Sequence, residues 1–224
     1  MNKTLLVIST NRGLWPETLE SVRALRNAGA RLVQQEGSSD VSLARNHALS
    51  MAAIALELES GQSIDTILMV DDDIVFTTED AQRLVDRCRE TGGPCSGLYV
   101  QAGGQLAASR MPSHCRTRPG GPMRPMRPGT WQVGLGFLAF SAAQLVELAE
   151  RSPSFTLRGA RLREFTRSGA IDEDYVSEDY CLSRRLGGVE LLTLEVGHLK
   201  MIPLYPSAGA TKQVCDAAAE RTEQ

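Results

Sequence analysis

No run of this chain is long and apolar enough to span a bilayer, which takes about 20 consecutive apolar residues. The first apolar run, residues 5–8, is far too short for the core of a signal peptide. Cysteine is sparse: Cys88, Cys95, Cys115, Cys181 and Cys215 are odd in number, widely spaced and without a Cys-x-x-Cys pair. That excludes a disulfide framework and a zinc pattern, and points to a reducing cytoplasm. No internal repeat is present. The net charge of -3 argues neither for nor against an anionic partner. Acid is missing locally, however: no Asp or Glu occurs between residues 91 and 146, where Arg110, Arg116, Arg118, Arg124 and Arg127 all lie.

What is present is the composition of an ordinary soluble globular protein, 42% apolar. Its 224 residues suit one large domain, or one with a small appendage. Residues 4–10 are continuously apolar until a polar end, as a buried parallel strand should be. A turn at Asn11-Arg12-Gly13 leads to a helix over 16–27, and a second strand is expected over 30–34. Residues 42–58 read as a helix with Leu43, Ala44, His47, Ala48, Met51, Ile54, Ala55 and Leu58 on its apolar side. A third strand, a helix over 79–90 and a strand over 95–100 follow. This alternation predicts an α/β fold, a mostly parallel sheet flanked by helices.

Between residues 110 and 130 the periodicity stops; five of the ten prolines and five arginines lie there, and we expect a long basic loop. A glycine-containing strand is expected over 131–140 and a helix over 142–150. Residues 152–171 give no clear assignment. A helix over 178–186 and a strand over 189–196 precede a polar helix or loose tail.

The third strand carries the most chemistry. Ile67-Leu68-Met69-Val70 runs straight into Asp71-Asp72-Asp73 before apolar residues resume. Alternation along a strand would place Asp71 and Asp73 on one side and Asp72 on the other. Two carboxylates there make a hard-oxygen site for a divalent cation, at the strand end where open α/β sheets place ligands. An acidic turn capping the next helix, begun by Thr77-Thr78-Glu79-Asp80, is the plainer alternative. Three adjacent carboxylates repel one another unless something neutralises them, which favours the functional reading.

Four further features accompany it. Ser9-Thr10-Asn11 ends the first strand, where a nucleoside can be held; taken alone, simple turn chemistry is the better account. Ser42-Leu43-Ala44-Arg45-Asn46 begins a helix, and helix starts and arginine both favour phosphate; taken alone, an ordinary surface arginine is the better account. Ser177-Glu178-Asp179-Tyr180 offers a carboxylate base, with Arg184-Arg185 steadying the anionic surroundings, or else a helix cap. Gly197-His198 ends a strand, where a metal ligand can reach the centre; a lone histidine is more often structural.

Taken in order, strand-Thr-Asn, Ala-Arg-Asn, Val-Asp-Asp-Asp, Val-Gly-x-Gly-Phe-x-x-Phe, Ser-Glu-Asp-Tyr-x-x-x-x-Arg and Gly-His resemble the GT-A-fold nucleotide-sugar glycosyltransferases, especially the family-2-like ones. The resemblance covers residues 4–198. It implies a single GT-A-type, Rossmann-like domain over 1–210: a nucleotide-binding half over 1–100, an acceptor loop over 110–130 and an acceptor half over 131–210, with 211–224 as a tail. Asp71-Asp72-Asp73 is similar to the DXD motif, so Asp71 and Asp73, with His198, would hold Mn²⁺ or Mg²⁺ and the donor diphosphate. Thr10, Asn11, Arg45, Asn46, Asp71, Asp72, Gly134 and Gly136 would bind the donor, a UDP-sugar by expectation, with Phe137 on the same pocket strand. Glu178 and Asp179 would face the acceptor, Asp179 as the base of an inverting enzyme; a retaining course would leave them to position substrate. Arg116, Arg118, Arg124, Arg127 and Trp131 would contact the acceptor, a hydroxymethylated base in DNA, as in phage-encoded relatives, or another anionic molecule. The tryptophan-arginine motif of processive relatives is absent, so a single-sugar, hexosyltransferase-type transfer is expected.

Other classes fit less well. A haloacid-dehalogenase-type phosphatase would use Asp71 as nucleophile, but that motif ordinarily ends a domain's first strand. A nucleotidyltransferase wants a richer glycine loop than Asn11-Arg12-Gly13. A non-catalytic sugar- or nucleic-acid-binding module gives no reason for base, acidic and histidine motifs to occur together.

Overall fold

The two continuous apolar runs become neighbouring central strands of one sheet. The computed structural model describes residues 1–58, 64–99, 107–110, 130–171, 174–194 and 196–199. In the first part of the chain come β1 (Thr4–Thr10), α1 (Pro16–Asn27), β2 (Arg31–Glu36), α2 (Val41–Leu58), β3 (Thr66–Asp71), β4 (Ile74–Val75), α3 (Thr78–Thr91) and β5 (Cys95–Gly97). Then follow β6 (Ala108–Arg110), β7 (Trp131–Val133), β8 (Phe137–Ser141), α4 (Ala142–Arg151), β9 (Ser154–Leu157) and β10 (Ala160–Arg163). The last elements are β11 (Gly169–Ile171), β12 (Asp174–Val176), α5 (Glu178–Arg185), β13 (Glu190–Leu192) and β14 (Gly197–His198).

The main sheet has six strands in the order β13-β5-β8-β3-β1-β2. Five run the same way, and β8 lies antiparallel between β3 and β5. Both faces are covered, which is why β1 and β3 are apolar without alternation. Leu6, Ile8, Leu68 and Val70 face α1 and α3, against Val22, Leu25, Leu84 and Val85. Leu5, Val7, Ile67 and Met69 face the other way, against Ala48, Leu49 and Ala52 of α2 and Leu145 of α4. No helix among the described residues is long and apolar enough to cross a membrane.

Two expectations change, and one unassigned stretch gains structure. The apolar side read for α2 is rotated: Ala44, Arg45, Ala48, Leu49, Ala52 and Ala53 are buried, whereas Met51, Ile54 and Leu58 are exposed. Partners for Arg45 and Asn46 inside the protein turn the helix, and small alanines let it lie close to the sheet. The expected strand over 131–140 is two strands, broken at Gly134-Leu135-Gly136; β7 pairs with β6 while β8 joins the main sheet. Residues 152–171 begin with a hairpin, β9–β10, whose turn residues Arg158 and Gly159 both have positive φ, 48° and 83°. A second hairpin, β11–β12, leads into α5. Residues 111–129, with Arg116, Arg118, Arg124 and Arg127, lie outside the described residues, as do 200–224.

Candidate functional site

Because β1, β3 and β5 run in parallel, their carboxyl ends meet at one edge of the sheet, where open α/β sheets bind ligands. A cleft of ≈ 500 Å³ opens there, lined by Ser9, Thr10, Asn11, Arg45, Asp71, Asp72, Asp73, Tyr99, Glu178, Asp179 and His198, among others. Register places Ser9 beside Asp71, and the Asp71 N–H donates to Gly136 O at 3.0 Å. The antiparallel pair β4–β14 sets His198 opposite Ile74, and Leu199 N–H donates to Asp73 O at 2.8 Å. Elements far apart in the chain therefore deliver residues of all five sequence motifs to one place.

The aspartates are not spent on capping. Thr77 caps α3, accepting from Asp80 N–H at 3.0 Å. Nor do they alternate: β3 ends at Asp71, and Asp72 and Asp73 form a turn. Each then finds its own partner. Asp71 Oδ2 lies 2.8 Å from Arg45 Nη2, Asp72 Oδ2 accepts from Thr10 Oγ1 at 2.6 Å, and Asp73 Oδ2 is 3.1 Å from His198 Nε2. Burial pushes the Asp72 carboxyl above its ordinary value, against the Thr10 hydrogen bond and with repulsion from Asp73 and Asp71.

Ser177 caps α5 and so frees Glu178 and Asp179 for the cleft. Both meet Arg45: its Nη1 reaches Glu178 Oε1 at 3.2 Å and also bonds Asp179 Oδ1. Asp179 Oδ1 accepts in addition from Leu135 N–H at 3.3 Å. One guanidinium thus serves three carboxylates. Burial works against Arg45's charge, but Asp71, Asp179 and Glu178 outweigh it and hold Arg45 above its ordinary value. Among the described residues lining the cleft, the carboxylates outnumber the cations. Burial, with repulsion from Asp71 and Glu178, raises the Asp179 carboxyl although Arg45 and Leu135 N–H favour its charged form.

Several expected site residues stand elsewhere. Asn46 is 4% exposed and ties down a loop: Nδ2 donates to Thr166 O at 2.9 Å, and Oδ1 accepts from Thr166 N–H at 2.8 Å. Gly134 and Gly136 make room for a phenol rather than opening directly to a ligand. A Cβ would come within 2.4 Å of Tyr99 Oη at Gly134 and 2.7 Å at Gly136. Trp131 packs beside the apolar cluster under α2 and bridges Val189, away from the cleft. Among the described contacts Arg184 and Arg185 reach other partners than the acidic pair: Arg184 Nε donates to Gln132 Oε1 at 3.0 Å, and Arg185 bonds Glu164 O. Their offset from Glu178 along α5 points them into the fold.

Tyr99 is not singled out by the sequence motifs. It is buried, accepts from Gly136 N–H at 2.9 Å, and meets the His198 ring edge-on with centroids 5.4 Å apart. Burial foremost, then the charges of Asp71 and Asp179, push its phenol well above the ordinary range. Its signal is position alone, two residues beyond β5 at the same sheet edge as Thr10 and Asp71.

Asp73 and His198 offer an oxygen and an imidazole nitrogen, a donor pair that suits Mn²⁺. Asp71 Oδ2 is engaged by Arg45, and among the described residues no three His, Cys, Asp or Glu side chains form a metal-holding group. Asp73 and His198 thus present two donors, paired with each other at 3.1 Å.

No family model matches the chain, and no curated protein does. Among solved structures, the crystal structure of A197 from STIV is similar, with TM-score 0.55 and 19% identity over 88% of this chain and 86% of that one. At this identity the likeness bears on the fold alone: mixed α/β, Rossmann-like, with a central, mostly parallel six-stranded sheet flanked by helices.

Proposed function

We propose that this protein is a GT-A-type glycosyltransferase that moves one sugar from a nucleoside-diphosphate sugar, a UDP-sugar by expectation, to an acceptor hydroxyl. The observation that carries this reading is the convergence, in one cleft, of the β1 end, the acidic β3 end, the Asp73–His198 pair and Asp179. Ser9, Thr10 and Asn11 sit where the nucleoside would lie. Asp73 and His198 would hold the Mn²⁺ or Mg²⁺; such an ion, when bound, neutralises charge on a departing diphosphate. Asp179 takes the proton of the acceptor hydroxyl, and a carboxylate of raised pKa is a stronger base for that transfer. An aspartate nucleophile of the phosphatase kind is disfavoured, because Asp71 ends the third strand in chain order rather than the first.

The test is a panel of nucleotide sugars incubated with the protein and Mn²⁺, read as free nucleoside diphosphate. Release is expected from at least one donor, and silence across the panel would overturn the reading. Asp73→Ala should raise the Mn²⁺ concentration needed for half-maximal release at least about tenfold; an unchanged requirement removes Asp73 from the metal site.

The acceptor proposal rests on the acid-free, arginine-bearing segment between residues 91 and 146. A hydroxymethylated base in DNA suits it, since a polyanion releases counterions on meeting arginines. DNA retention should fall by about 10³-fold or more between 50 and 200 mM salt if six or more phosphates are contacted. Retention that ignores salt would sink the DNA acceptor.

A further inference from the structure

Among the described residues lining the cleft, Arg45 is the single arginine, and its geometry is not that of a phosphate grip. It is 4% exposed although it lies in the first turns of α2. Its fork bridges two sides of the cleft, with Nη2 on Asp71 at the end of β3 and Nη1 on Glu178 and Asp179 at the start of α5. Only Nε, buried, is without a hydrogen-bond partner. An arginine that seizes a diphosphate presents both prongs of its planar fork to the ligand. Here both prongs are engaged by carboxylates. The start of α2 is also occupied, since Asp40 Oδ1 accepts from Leu43 N–H at 2.9 Å.

We propose that Arg45 is a positioning residue that stays on its carboxylates when the donor binds, holding Asp179 against Leu135 N–H and tying it to Asp71. The inference deepens the glycosyltransferase reading and rests on it for Asp179's role. A planar guanidinium can hold carboxylates on both sides at fixed angles, whereas a lysine ammonium is a point charge on a flexible stem. Without Arg45, Asp71, Glu178 and Asp179 would repel one another, and the Asp179 oxygen would lose its direction.

Arg45→Lys keeps the charge and the fold; Arg45→Met tests its loss. For Arg45→Lys, kcat should fall about 100-fold, the scale of a misplaced base. Nucleoside diphosphate affinity, measured by calorimetry with Mn²⁺ present, should change less than about threefold, because no binding contact is removed. In an Asp179→Asn background, Arg45→Lys should cost nothing further, since both act through one carboxylate. A drop in affinity of about tenfold or more, with additive kcat losses, would instead make Arg45 a phosphate ligand and overturn the inference. An NMR measurement separates this from the wider reading. The ligand-free protein should show Arg45 Nη protons in slow rotation, held by their carboxylates, and a freely rotating guanidinium overturns the inference whatever the activity. If no donor is turned over while those protons are held, the transferase reading fails and the ion-pair assignment stands.

Discussion

Asp179→Asn is expected to lower kcat for sugar transfer by about 10²–10⁴-fold while leaving the protein folded. The amide keeps the shape and can still accept from Leu135 N–H, but it cannot take the acceptor's proton. The same geometry predicts the pH profile. Asp179 titrates above its ordinary 3.8, first because it is buried and then because Asp71 and Glu178 repel its charge. The acidic limb of kcat/KM should therefore lie above 3.8 and disappear in Asp179→Asn. The limb belongs to the cluster of Asp71, Glu178, Asp179 and Arg45 rather than to one oxygen. The stability sign follows. A carboxyl with a raised folded-state pKa contributes stability below its unfolded value and loses it as pH rises through the folded value. Near neutrality the charged form is thus the disfavoured one, so Asp179→Asn should melt at the same temperature as the parent or higher. Activity lost together with stability would mean that Asp179 holds the fold, and the base assignment would fail.

Part of that site is legible in residue type alone. Apolar continuity in residues 5–8 and 67–70 marks two central strands, because burial on both faces leaves a signature in the side chains. The polar ends of those strands mark Thr10 and Asp71, since direction in a parallel sheet puts strand ends together. Partnership leaves no such signature. Arg45 and Asn46 are adjacent on one helix start, yet one meets three carboxylates and the other clasps Thr166. Periodicity also misplaces the buried side of α2, because it ranks Met51 and Ile54 above alanine, whereas close packing on the sheet selects the alanines. The glycines at 134 and 136 correctly mark a close approach, but what approaches is the Tyr99 phenol, contributed from beyond β5. The hairpin at Arg158-Gly159 is hidden because its turn lacks the usual Asn-Gly or Asp-Gly pair.

Asn46→Ala should separate architecture from chemistry. The side-chain amide of Asn46 acts as a strand would, donating to Thr166 O and accepting from Thr166 N–H, with Thr166 fully buried. Thr166 O keeps a second donor, Ser42 Oγ at 2.9 Å, but among the described contacts its N–H has Asn46 alone. Truncation strands that N–H away from water and removes the amide's own bonds, a loss of about 2–4 kcal/mol. Against a total stability of about 5–15 kcal/mol this is large, and for a chain of this size it corresponds to about 5–15 °C in Tm. Donor KM, measured well below the lowered Tm, should hold within about twofold, because Asn46 does not line the cleft and removes no ground-state contact. Thermal melts and donor kinetics on the same preparation decide it. A variant that melts like the parent but needs far more donor would return Asn46 to the nucleotide, where the family resemblance puts it, and would remove the clasp on Thr166 as the reason for asparagine at this position.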